Sequence, residues 1–104
     1  MDQRTVIKTV KQFEKALTTA NIKIEKLILF GSHATNTARE DSDIDLVVIS
    51  PSFVNKSYWE RIDILTDAIY EVSAPIEASA FTPEEWEEGN SLITDYAKNG
   101  ILMS

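Results

Sequence analysis

The chain has 104 residues, enough for one hydrophobic core but not for two, so we expect a single domain over residues 1–104. Its formal charge of −7 argues against direct binding of nucleic acid, because contacts to phosphates need clustered Lys and Arg. The sequence has no cysteine, no visible signal peptide and no apolar run near the roughly 20 residues of a membrane span, which together predict a cytoplasmic protein without disulfides.

The first half of the sequence predicts a helix and two strands. Apolar residues recur every three or four positions over residues 4–20, which indicates an amphipathic helix. Ile24–Phe30 is a short apolar run stopped by Gly31, and Ile44–Ile49 is a second apolar run; both are typical of strands. The loop of about 13 residues between them is long for a hairpin, and loops of that length are usually functional.

The second half predicts a helix, a third strand and a helical C-terminal segment. Ser57 begins a capping box, and the helix of about 16 residues that follows has Trp59 and Leu65 on its apolar face. Ile76–Phe81 is a third strand, and residues 82–83 start a further helix that Gly89 interrupts. The order of elements therefore predicts an α/β domain of the mixed, α+β kind.

We expect a small mixed sheet of about three strands, flanked by helices that cover one of its faces. The connection from residue 49 to residue 76 is mostly helical, and a helical crossover allows the second and third strands to run parallel.

Two aspartates lie at the start of the second predicted strand. Side chains in a strand alternate between faces, so Asp43 and Asp45 point to one face while Ile44 and Leu46 point to the other. Two neighbouring carboxylates repel each other, and a cation relieves that repulsion. Ligands that are all oxygen suit Mg²⁺ or Mn²⁺, which keep coordination positions for water and substrate phosphates.

Two further features complete a candidate site for phosphoryl transfer. Glu77 falls on the face of the third strand that corresponds to the aspartates, and three carboxylates on one face could hold two metal ions. Gly31-Ser32 directly follows a strand and offers backbone N–H groups to a phosphate. Metal ions beside a phosphate-binding loop indicate chemistry on a nucleoside triphosphate.

Each of these features also has a simpler interpretation. Asp-x-Asp occurs often by chance, and Gly-Ser after a strand is usually only a turn. An EF-hand loop starting at Asp41 is excluded, since its sixth position is Leu46 and its twelfth is Ser52. We expect His33 to be a solvated loop residue in preference to a phosphate ligand, and Ser42 to order the turn through backbone hydrogen bonds.

The combination of Gly31-Ser32, ten further residues and Asp43-Ile44-Asp45, within LILFGSHATNTAREDSDIDLVV, resembles the signature of the minimal nucleotidyltransferases. These belong to the DNA polymerase β-like superfamily. The resemblance covers most of the chain and implies the nucleotidyltransferase fold, with transfer of a nucleoside monophosphate, AMP from ATP as the best guess, to an acceptor.

The resemblance also implies a role for each residue of the site. Asp43 and Asp45 are the ligands of two divalent metal ions, Mg²⁺ or Mn²⁺, and Glu77 is the third catalytic acid and metal ligand. Gly31 and Ser32 contact the triphosphate together with the two aspartates. The chain departs from the family pattern at Asn36, where Gly is usual, and at Glu77, where Asp is usual; Asn tolerates left-handed backbone angles.

The same resemblance implies a partner protein. Minimal nucleotidyltransferases are typically paired with a small helical toxin of the HEPN group and act as its antitoxin, in studied cases by adenylylating a tyrosine of the toxin. Trp86, Tyr96 and residues 101–103 offer apolar area for an interface with such a partner or with a second copy of the chain. The alternative function is a protein-binding module with little or no catalytic activity that retains the metal site.

Overall fold

Helix α1 occupies Gln3–Thr19 of the computed structural model, which describes residues 1–104. The side chain of Asp2 caps the helix by accepting a hydrogen bond from the Thr5 N–H at 2.8 Å. The predicted helix over residues 4–20 is confirmed to within one residue at each end. One stripe of α1 is buried at spacings of three and four residues, and it consists of Val6, Val10, Phe13 and Leu17.

Four strands form one mixed sheet, and they are β1 (Lys26–Phe30), β2 (Ile44–Ile49), β3 (Ile76–Phe81) and β4 (Ile101–Leu102). Their order in the sheet is β3-β2-β1-β4; β1 runs antiparallel to β2 and β4, and β2 runs parallel to β3 as expected. The mixed sheet flanked by helices is confirmed, with four strands where about three were expected. The short β4 pairs with the outer edge of β1, and two residues are too few to show a strand pattern in the sequence.

Five further helical segments connect the strands. They are α2 (Ser32–Thr35), a 3₁₀ turn (Pro51–Phe53), α3 (Tyr58–Val72), α4 (Pro83–Glu88) and α5 (Leu92–Ala97). The predicted capping box of Ser57 is present at the start of α3, and Gly89 ends α4 with φ +65°. Leu65 is buried as expected, but the expectation for Trp59 is wrong. Trp59 is 71% exposed because it lies in the first turn of α3, before the part of the helix that is buried, and its ring contacts Tyr58 edge-on.

Helices cover both faces of the sheet. Alternate residues of β2, beginning with Ile44, enter the main core under α1 and α3. Val47 and Ile49 point to the other face, where they pack with Ala97 of α5. The expectation of one covered face is therefore wrong. Both faces are covered because the last four residues of β2 are all apolar, which is the pattern of a strand that is buried on both sides.

The C-terminal helices leave one end of the second face uncovered. They contact β1 and β3, and Phe81 and Trp86 pack edge-on there with ring centroids 5.5 Å apart. Asp45 lies on this face beyond the residues that they cover, where β2 begins. None of the helices in the structure is both long and apolar enough to cross a membrane.

Candidate active site

Asp45 and Glu77 are direct neighbours across two parallel strands. The register of β2 and β3 pairs these two residues, and the register of β1 and β2 pairs Phe30 with Asp45. Paired residues of adjacent strands point to the same face of a sheet. We call the resulting line of Phe30, Asp45 and Glu77 the carboxylate row; the structure thus brings Asp45 and Glu77 together on one face, as the sequence predicted.

Asp43 lies at the edge of this row. It directly precedes β2 and is exposed, whereas Asp45 is half-buried. Partial burial raises the pKa of the Asp45 carboxyl above its ordinary value of 3.8, and the negative charges of Glu77 and then Asp43 raise it further. His33 acts in the opposite direction on the pKa of Asp45. The three predicted acids therefore interact electrostatically, with Asp45 at the centre.

Gly31 holds the loop after β1 against the Asp45 carboxylate. Its backbone has φ +76° and ψ −154°, a conformation that residues with a side chain rarely adopt. A Cβ at this position would collide with Asp45 Oδ2 and would lie 3.2 Å from Asp45 Cγ. The backbone angle therefore favours glycine here, and any other residue would also have to displace the Asp45 carboxylate.

The turn after Gly31 presents free backbone donors beside the carboxylates. The Gly31 carbonyl accepts hydrogen bonds from the N–H groups of Ala34 and Thr35, so the helical pattern starts at Gly31. The N–H groups of Ser32 and His33 belong to the first turn of α2 and have no acceptor within the helix. These groups are suited to an anionic oxygen, the chemistry that the sequence predicted for Gly31-Ser32.

Asn36 ends α2 in the left-handed conformation, with φ +62° and ψ +30°. The sequence expectation that Asn accommodates this turn in place of Gly is met. The other end of the loop is ordered by Ser42, as expected: its hydroxyl accepts a hydrogen bond from the Arg39 N–H at 2.8 Å. His33 is not simply solvated, since it is half-buried with Nε2 3.3 Å from the Ser42 carbonyl oxygen. Nothing in the sequence indicated this contact, which ties α2 to the turn before Asp43.

The site's side chains supply only oxygen ligands, the donor type that Mg²⁺ and Mn²⁺ prefer. No three His, Asp or Glu side chains in the structure lie close enough together to hold a metal ion by themselves. Asp43, Asp45 and Glu77 are the residues that would hold a divalent ion, and oxygens of phosphate and water would have to complete its coordination.

The glycine turn beside Asp45 and Glu77 lies within the part of the chain that a known family matches. The sequence model of the nucleotidyltransferase domain matches residues 7–102. The chain therefore belongs to the nucleotidyltransferase domain family.

Two solved structures have the same fold. One is a candidate nucleotidyltransferase from Sulfolobus solfataricus, with 18% sequence identity, a TM-score of 0.72, and coverage of 96% of this chain and 80% of the other. The second is a toxin-antitoxin structure with AMP-PNP, with 16% identity, a TM-score of 0.66, and coverage of 90% and 71%. None of the curated proteins compared with the chain is significantly similar to it in sequence.

Proposed function

We propose that the protein transfers AMP from ATP to a hydroxyl group of a partner protein, with Mg²⁺ or Mn²⁺, and that it acts as the antitoxin of a toxin-antitoxin pair. The observation on which the proposal depends is the cross-strand pair of Asp45 and Glu77 beside Gly31. Membership of the nucleotidyltransferase family supports the reaction class. The similar fold of a toxin-antitoxin structure with AMP-PNP supports the donor and the biological role.

The residues of the site have separate tasks in this reaction. Asp43 and Asp45 hold the divalent ions, and Glu77 is the third carboxylate. The N–H groups of Ser32 and His33 bind the triphosphate. When bound, the divalent ions neutralise phosphate oxygens and align the triphosphate for in-line displacement.

The proposed reaction exchanges one bond at the α-phosphorus of ATP for another. The acceptor oxygen forms a bond to the α-phosphorus, and the bond from the α-phosphorus to the oxygen bridging to the β-phosphorus breaks. Pyrophosphate leaves, and the proton of the acceptor hydroxyl passes to the carboxylate of Glu77, which is exposed and lies on the same face as Asp45. ATP and Mg²⁺ are both available in the cytoplasm, the location that the composition predicted.

The partner is proposed to be a helical toxin of the HEPN type, and the exposed apolar residues near the C-terminus are the candidate interface. Tyr96 is 68% exposed and Leu102 is 63% exposed. Trp86 was also expected to contribute, but it is half-buried and packs on Phe81, so much of its apolar surface already contacts this chain. A second copy of the chain is the alternative occupant of this surface.

The experiment that tests the reaction follows ATP labelled at the α-phosphate. The purified chain is incubated with Mg²⁺, labelled ATP and the candidate toxin, and both transferred label and released pyrophosphate are measured. We expect label on the toxin, lost in Asp45→Asn and strongly reduced in Glu77→Gln, while Asp63→Asn on the exposed side of α3 behaves as the parent. Full transfer by Asp45→Asn would refute the site.

The second candidate function, a binding module that retains the fold without turnover, gives a different result. Its motivating observation is the openness of the site, in which no three side chains enclose a metal ion. In that case the chain binds the toxin and neutralises it equally well with or without ATP, and Asp45→Asn neutralises as the parent does. Toxin neutralisation measured with and without ATP therefore separates the two functions.

A further inference from the structure

The free edge of β3 forms the floor of a groove beside the candidate active site. β3 is the outer strand on its side of the sheet, and Ala78–Phe81 line a cavity of about 730 Å³. One wall comes from α3, with Tyr58 and Ile62, and the opposite wall comes from α4 and the segment after it, with Glu88 and Asn90. Glu77 of the carboxylate row directly precedes this floor.

The main chain of β3 offers unpaired hydrogen-bonding groups to the groove. The carbonyls of Pro75 and Phe81 accept hydrogen bonds from the N–H groups of Ile44 and Ser50 at 2.8 and 2.9 Å. Because main-chain groups in a strand alternate in direction, the odd-numbered residues of β3 face β2. The N–H and C=O groups of the even-numbered Ala78 and Ala80 therefore point to the side where the sheet has no further strand.

This alternation of donor and acceptor matches one class of ligand. An extended polypeptide presents donors and acceptors with the same two-residue repeat, and it binds a free strand edge as an added strand. The side chains at this edge are small: Ala78 and Ala80 pack toward the main core, so they do not fill the groove. A segment of two to three residues spans this pair of alanines, at about 3.3 Å per residue.

The charges along the groove favour a basic segment. The charge of Arg61 is paired within the chain, since its guanidinium forms a salt bridge to Glu85 at 2.6 Å and also donates to the carbonyls of Phe53 and Lys56. The remaining charged groups are Lys56 and Glu88 in the lining and the exposed Glu77 at one end. Lys56 and Glu88 cancel, so the negative balance that favours a basic segment comes from Glu77 at the end of the groove and from the net charge of −7 for the chain.

We propose that an extended, basic segment of the acceptor polypeptide adds to the edge of β3 as a fifth strand and places a hydroxyl-bearing side chain beside Glu77. The proposal rests on the proposed function, because it names how the protein acceptor reaches the site. Residues paired across adjacent strands point to one face, so the residue opposite Glu77 extends the carboxylate row, at the strand spacing of about 4.8 Å. Its hydroxyl oxygen then attacks the α-phosphorus, its proton passes to Glu77 and pyrophosphate leaves.

The edge can be blocked with little effect on the rest of the sheet. Ala80→Pro removes an N–H that faces the groove and leaves the ladder to β2 intact, since proline is tolerated at edge positions whose N–H faces outward. Ala80→Ser keeps this N–H and is the matched control. The probe is a fluorescent ten-residue peptide of alternating Val and Lys with one central Tyr. Its companion is the same peptide with methyl groups on alternate backbone nitrogens.

Peptide binding is measured by fluorescence anisotropy, and ATP-analogue binding with Mg²⁺ is measured separately. We expect the parent and Ala80→Ser to bind the peptide, Ala80→Pro to bind it at least about tenfold more weakly, and the methylated peptide not to bind. All variants should bind the nucleotide equally. Equal peptide affinity in Ala80→Pro and in the parent would overturn the proposal.

Failure of the strand-addition proposal is distinct from failure of the proposed function. A parent that binds nucleotide and labels the toxin but shows no affinity for the peptide overturns strand addition alone. A parent that does not bind the nucleotide overturns the proposed reaction, whatever the peptide does. If Ala80→Pro does not fold, amide hydrogen exchange of the parent is measured with and without the peptide. We expect the peptide to protect the amides of Ala78 and Ala80 from exchange, and unchanged exchange refutes the added strand.

Discussion

Replacing Asp45 with Asn should stabilise the protein in the absence of metal and nucleotide while removing its activity. Asp45 is half-buried and lies directly opposite Glu77, and Asp43 adds a second negative charge. Like charges directly opposite in a sheet are destabilising, and we take the magnitude to be similar to the roughly 0.2–1 kcal/mol that favourable cross-strand pairs contribute. A gain of about 0.5 kcal/mol corresponds to a rise in Tm of about 2–4 °C for a domain of this size. The substitution keeps the shape of the side chain, so the change isolates the charge.

The pH dependence of this gain has a definite sign. Burial, and then the charges of Glu77 and Asp43, raise the pKa of Asp45 in the folded state above 3.8, so ionisation of this group opposes folding. The parent therefore loses stability as the pH rises from the ordinary pKa of Asp through the folded-state pKa, and Asp45→Asn does not. Thermal unfolding without metal, from pH 4 to neutrality, should show a difference in Tm that grows with pH.

Asp63→Asn on α3 is the control, because this residue is exposed and far along the chain from the carboxylate row. Mg²⁺ with a non-hydrolysable ATP analogue should then reverse the order, since only the parent gains stability from the bound ligand. If the Tm of Asp45→Asn near neutral pH is equal to or below that of the parent, repulsion between Asp45 and the neighbouring carboxylates does not destabilise the metal-free fold.

Two further predictions test the loop after β1 and the salt bridge between α3 and α4. Gly31→Ala should destabilise the fold by about 1–3 kcal/mol in urea denaturation, because the backbone angle is strained and the Cβ collides, and it should abolish stabilisation by the ATP analogue. Gly89→Ala, also at positive φ but with 3.7 Å of room, should cost only about 1 kcal/mol; equal losses would refute the close approach. The hydrogen bond from Arg61 holds the pKa of Glu85 below its ordinary 4.5, so Glu85→Gln should lower Tm near neutral pH, and the loss should disappear as the pH falls below that value. A loss of Tm that persists in acid would mean that the charge of Glu85 is not responsible.

Periodicity and local chemistry were enough to predict most elements of the fold. The helix starts at Asp2 and Ser57 have side-chain caps that act over three residues, so the sequence alone contains them. It could also be predicted from the sequence that Asp45 and Glu77 share a face of the sheet. Side chains alternate between the two faces along each strand, and the helical crossover makes β3 run parallel to β2. These features depend on neighbours in the sequence.

The features that sequence reasoning missed depend on contacts between distant segments. β4 exists because the chain terminus returns to β1, where the Leu27 N–H donates to the Ser104 carbonyl and the Met103 N–H donates to the Leu27 carbonyl. The covering of the second face likewise requires α5 to reach β1, which no local pattern in α5 reveals. The contact of His33 with the Ser42 carbonyl closes a loop of nine residues, and its partner is a backbone atom that any residue would supply.

The division of the second face bears on the proposed transfer to a partner protein. Ala97 packs with Val47 and Ile49, and Phe30 packs against the same cluster, but further along the row Asp45 is only half-buried and Glu77 is exposed. Nucleotidyl transfer to a hydroxyl competes with transfer to water, and an open site does not exclude water. A polypeptide added along β3 would stand beside Glu77, at the exposed end of this row, and would place its own hydroxyl where water otherwise has access. Specificity for a protein acceptor and protection from hydrolysis would then have the same structural origin, the free edge of β3 next to the carboxylate row.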